Sequence, residues 1–108
     1  MMFGDKPGIP FESHLERLKE PARTIMVELR AFVKSLGSNV IEEVRPHRVV
    51  YAKTINFRTF LDVEPAGDSL VIQIRFGRAT PPIATTIKTA QDAENAKKLI
   101  AEAYQKIQ

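Results

Sequence analysis

The chain has no cysteine, no tryptophan and only 5 glycines among 108 residues. Without cysteine there is no disulfide framework, no thiolate nucleophile and no cysteine-bound zinc, which agrees with a reducing, cytoplasmic setting. The glycines stand at positions 4, 8, 37, 67 and 77, too scattered to form a phosphate-cradling loop. Long apolar runs are missing as well. None approaches the length of a membrane span, and the opening MMFGDKPGIPF lacks the apolar segment of a signal peptide. The expectation is a chain with no membrane contact. A strong excess of one charge is also absent: 16 Lys and Arg against 13 Asp and Glu leave a net charge of +3. Dedicated nucleic-acid binders concentrate more positive charge than this, so the placement of charge matters more than its total.

What is present is a globular balance, 44% hydrophobic and 27% charged, in a length that suits one domain. Residues 1–11, with Gly4, Pro7, Gly8 and Pro10, read as a flexible arm, and residues 12–108 as a single α+β domain. Ser13 with Glu16 three residues on has the form of a capping box and predicts a short helix carrying Leu15 and Leu18, stopped near Pro21. From Ala22 to Leu36 the apolar residues Ile25, Met26, Leu29, Phe32, Val33 and Leu36 share an arc of about 120° on a helical wheel. Gly37 sits where a helix C-cap glycine belongs.

The period then changes to two. NVIEEVR, RVVYAK, Asn56–Glu64 and Ser69–Phe76 read as four strands, with PAGD as a tight turn between the last pair. GRATPPIA reads as a loop, because Pro81 and Pro82 have no amide to give a ladder. TTIK reads as a short closing strand. Thr89 and Asp92 then cap a second long helix, in which Ala93, Ala96, Leu99, Ile100, Ala103, Tyr104 and Ile107 form one stripe. The predicted fold is a two-layer sandwich: an antiparallel meander of four to five strands with the helices packed on one face.

The other face is the candidate working surface. Pairing Val63 with Leu70, Leu61 with Ile72 and Thr59 with Ile74 gathers the apolar side chains on one side. That register places Arg58 opposite Arg75 and Phe60 opposite Gln73 on the open side, with Arg48 approaching Phe60. Arg45, His47 and Arg78 lie near strand ends and would border this group. Arg48, Arg58, Phe60, Gln73 and Arg75 are thus the candidate binding residues. Like charges on neighbouring strands cost under about 1 kcal/mol, so repulsion alone does not demand a ligand. A solvated, salt-bridged face is one reading. A surface for a nucleic-acid backbone or an acidic protein is the other, with Arg supplying forked donors and Phe60 a platform. A single aromatic does not make an RNA-stacking row.

Catalytic chemistry finds little support. His14, in a helix first turn, and His47, between Pro46 and Arg48, have no partners at metal-ligand spacing. Glu42 and Glu43 are adjacent on a strand and point to opposite faces, so they cannot act as a pair. No serine sits in a nucleophile elbow. The reading names no catalytic residue, metal or cofactor. Three functions remain in contention: a binding module using the arginine face, a homodimerisation module using the same face or a strand edge, and an enzyme of unrecognised type drawing on Tyr51, His47 and Glu42 or Glu43.

The segments ELRAFVKSLGSNVIEEV, VVYAKTINFRTFLDVEPAGDSLVIQIRF and DAENAKKLIAEAYQKI, in that order, resemble a small uncharacterised domain family of bacteria and archaea loosely labelled "predicted transport protein". The resemblance spans about Leu15 to Gln108. It rests on a helix ending in Leu-Gly, an acidic first strand, a Y-x-K strand, an Asn-Phe strand opening and a closing Ala-Tyr helix. It implies the fold, and it brings no catalytic residues. Family members carry a longer loop with a His-Trp-Gly segment between the last strands, where this chain has only GRATPPIATT.

Overall fold

The computed structural model describes residues 9–53, 58–77 and 79–107. Two helices, α1 (Phe11–Glu16) and α2 (Ala22–Lys34), precede five strands: β1 (Val40–Val44), β2 (Val49–Lys53), β3 (Arg58–Pro65), β4 (Leu70–Ile74) and β5 (Ile83–Ile87). Helix α3 (Ala90–Lys106) closes the chain. The strands pair antiparallel in chain order, an uninterrupted meander with β1 and β5 at its edges. The helices cover one face, α3 lying over β3, β4 and β5 and packing against α2. No helix among the described residues is long and apolar enough to cross a membrane.

The helical stripes form the core as their periodicity requires. Ile25, Met26, Leu29 and Val33 of α2 are buried, and Phe32 and Leu36 pack at its margin. Ala93, Ala96, Ile100 and Ala103 are buried from α3. The start of α3 is a full capping box: Thr89 Oγ1 accepts the Asp92 amide at 3.1 Å, and Asp92 Oδ2 accepts the Thr89 amide at 3.1 Å. At α1 the expected box is not used. The helix begins two residues before Ser13, Pro10 is its N-cap, and Phe11 is buried rather than part of an arm. Pro10 stands in extended backbone and its carbonyl accepts the Ser13 amide at 3.0 Å, which starts the helix upstream.

Gly37 has a different reason from the one its position suggests. The cap of α2 is Ser35, in right-handed backbone, and the only described glycine at positive φ is Gly67 (φ 79°), in the β3–β4 turn. A Cβ on Gly37 would collide with the Tyr104 hydroxyl and lie 3.1 Å from its Cζ. Glycine is there because the α3 aromatic sits against the α2–β1 connection.

Strand register differs from the expected one by two residues. Pro65 pairs with Leu70, Val63 with Ile72 and Leu61 with Ile74. A shift of two keeps every side chain on its own face, so hydrophobic pattern cannot distinguish the two registers, and the turn decides. Ala66 donates to the Ser69 carbonyl at 2.9 Å, closing a short connection around Gly67 that extends the ladder to Pro65. A second departure is larger. Tyr51 of β2 faces Leu61, but the next residue, Ala52, faces Thr59, leaving Phe60 as an extra residue. This β-bulge inverts the alternation of β3 before Leu61. Phe60 and Leu61, adjacent in sequence, are both 0% exposed in the core.

Candidate functional site

The five candidate residues do not form one surface. Phe60 leaves the open face through the bulge and packs edge-on against Tyr104 of α3, ring centroids 5.4 Å apart. Arg58 follows it: in register it pairs with Lys53, whose Nζ lies 4.4 Å from the Tyr104 ring centre and donates to the Ile107 carbonyl at 3.0 Å. Arg58 therefore belongs to the helix-covered side. Arg75 lies one residue past β4, and its amide donates to the Phe60 carbonyl at 2.9 Å. The Arg58–Arg75 opposition is not formed. Arg48 and Gln73 do share the open face, in a shallow depression with Asp62, Glu64 and Val71. There Arg48 stands between two carboxylates, 3.4 Å from Asp62 and 3.5 Å from Glu64. Arg45 is likewise paired, with Glu43 at 2.9 Å. Arg78, Asn56 and Phe57 lie outside the described residues. The centre of the open face is a mixed-charge surface, not a basic one.

Glu42 and Glu43 point to opposite faces as expected. Glu42 turns inward, its side chain 10% exposed, and accepts both Nε and Nη2 of Arg30 at 2.9 Å and the Tyr51 hydroxyl at 2.8 Å. Lys34 adds a longer contact at 3.4 Å. Phe11 closes this cluster, with the Arg30 guanidinium 4.2 Å from its ring centre. Burial pushes the Glu42 carboxyl up, but the Arg30 fork and the Tyr51 hydroxyl outweigh it and hold its pKa below the ordinary value. Burial, then the Glu42 charge, pushes the Tyr51 phenol well above its usual range. Glu42 is thus engaged by Arg30, Tyr51 and Lys34, an internal network that joins α2 to the sheet.

Two features remain that the arginine argument does not reach. The first is the outer edge of β5. Ile83, Ala84 and Thr86 are exposed, Ile83 by 41%, and no described strand pairs with that edge. The strand IATTI contains no charge, and a groove of about 240 Å³ runs beside it, lined by Ile83, Ala84 and Thr85 below and Asp92, Asn95, Ala96 and Leu99 of α3 above. The proline pair led the sequence reading to place Ile83 and Ala84 in a loop. Both are strand residues, because Pro82 ends immediately before the ladder begins. The β-branched run IATTI was the available signal. The second feature is a polar cleft of about 280 Å³ where α1 meets the β1–β2 and β3–β4 turns, lined by His14, Arg17, His47, Glu64, Pro65 and Gly67. Among the described residues no set of three or more His, Asp or Glu side chains is placed to hold a metal ion.

Comparison of the chain with protein-family models, with curated proteins and with solved structures finds no match.

Proposed function

We propose that this protein is a non-enzymatic interaction module that associates with a second copy of itself through the free edge of β5. The observation that carries the reading is the uncharged character of that edge. Natural sheets guard their edges with charged residues, prolines or bulges, since unpaired amides and carbonyls recruit any extended chain. The opposite edge, β1, carries the exposed Glu43, paired with Arg45. The β5 edge carries nothing comparable along Ile83–Ile87.

The strand is also self-complementary. Antiparallel pairing about a twofold axis at Thr85 sets Ile83 against Ile87 of the other copy and Ala84 against Thr86. No like charges meet along the pairing. The nucleic-acid or acidic-partner reading has less to draw on, since Arg48 is engaged by Asp62 and Glu64 and Arg58 and Phe60 lie on the helix-covered side.

Sedimentation over a wide concentration range tests the reading, with two double variants on the exposed positions. Ala84→Lys/Thr86→Lys sets like charges across both cross-strand pairs, each unfavourable by about 0.2–1 kcal/mol, and yields monomer. Ala84→Glu/Thr86→Lys sets opposite charges across the same pairs and stays associated. A wild-type protein that remains monomeric at every concentration ends the proposal.

A further inference from the structure

A separate set of contacts, independent of the β5 edge, builds the polar cleft. Three tertiary hydrogen bonds fasten its walls. His14, 1% exposed, donates from Nε2 to the Arg45 carbonyl at 2.8 Å. Arg17 Nη2 donates to the Pro46 carbonyl at 3.2 Å. The Lys19 amide donates to the Gly67 carbonyl at 2.9 Å. Each turn is itself closed, Arg45 to the Arg48 carbonyl at 2.8 Å and Ala66 to the Ser69 carbonyl at 2.9 Å. The helix end and both turns are thus fixed relative to one another, and the cleft is preformed. Its chemistry is divided. Arg17 and His47 come from α1 and the first turn. Glu64 comes from β3, with Oε1 3.5 Å from Arg48 and Oε2 uncommitted among the described contacts. The carbonyl can only accept, so Nε2 of His14 carries the proton in that bond and Nδ1 is the ring's remaining polar atom.

We infer that this cleft binds a small zwitterion of the α-amino acid class, its carboxylate held by Arg17 and His47 and its ammonium by Glu64. Forked guanidinium donors suit a carboxylate, and the carboxylate of Glu64 suits an ammonium group beside it. A simple anion would leave Glu64 facing it unfavourably, and a simple cation would do the same with Arg17. The volume of about 280 Å³ lies just below the usual range for ligand pockets and suits a small occupant.

The test is a titration of the intact protein followed by amide and imidazole resonances. The probes are the common α-amino acids in turn, with acetate as the anion-only and methylammonium as the cation-only control. The expected result is saturable shifts at Arg17, His47, Glu64 and Gly67 for at least one amino acid, with affinity tenfold or more above both controls. Arg17→Gln and Glu64→Gln, both at exposed or half-exposed positions, each remove that preference while the spectrum stays dispersed. Equal binding of acetate, or retention of the preference in either variant, overturns the zwitterion assignment. Absence of saturable shifts with every amino acid overturns the site altogether. None of these outcomes bears on association through β5, which is read by sedimentation.

Discussion

The contact between Gly37 and Tyr104 shows how much can depend on one missing methyl. Gly37→Ala pushes a Cβ into the phenol ring that also packs on Phe60, so relief on one side disturbs the core on the other. The expected loss is about 1–3 kcal/mol, the range for overpacking. Tyr104→Phe removes the atom of closest approach, so the double variant recovers part of that loss, and urea unfolding of all four proteins gives the coupling. The Phe60–Leu61 doublet teaches a related lesson. Simple alternation assigns adjacent residues to opposite faces, and on that assumption Phe60 became a surface platform and Arg58 its neighbour. Here two large apolar residues in succession, Phe60 and Leu61, are both buried because a bulge separates them in the pairing. The predicted grouping breaks at that single position, which turns Phe60 and Arg58 away from Arg48 and Gln73.

At the level of elements, the chain announces its parts well and its boundaries less well. The stripes of α2 and α3, the meander and the turn at Gly67 all follow from period and turn chemistry. Register was legible only to within two residues, because burial constrains the face and not the step along it. Capping was legible where the side chain has no rival, as at Thr89. It was misleading at Ser13, where Pro10 starts the turn earlier. Thr89→Ala removes the acceptor for the Asp92 amide and should lower stability by about 1 kcal/mol, visible as a reduced thermal midpoint. Ser13→Ala, by the same measurement, should change little, since no side-chain cap exists there.

For the whole molecule, the network under α2 sets the pH limits of the fold. The folded pKa of Glu42 lies below that of an unfolded glutamate, so the folded state binds fewer protons in the acid range. Its contribution is complete above the ordinary carboxylate pKa of about 4.3 and is lost as pH falls through the lower folded value. Tyr51 has the opposite sign. Its folded pKa is raised, so its contribution holds below about pH 10 and is lost as pH climbs beyond. Glu42→Gln should cost about 1–3 kcal/mol at neutral pH and converge on wild type in acid, whereas Tyr51→Phe should flatten the alkaline limb. Denaturant unfolding at several pH values separates the two. A pair of curves with constant spacing from pH 7 to pH 3 would refute the role given to Glu42.

The two rims of the sheet are not alike: an exposed glutamate, Glu43, marks one, and the strand at the other carries no charge. In the proposed association, joining at the neutral rim uses up the uncharged border of the described sheet in both partners at once. What would remain outward on the joined sheet is the border marked by Glu43 at each end, so the proposed process stops after a single step. The proposed assembly would then reach a finite size instead of extending into fibres, a safeguard resting on an exposed acidic residue, Glu43, far from where the joining happens.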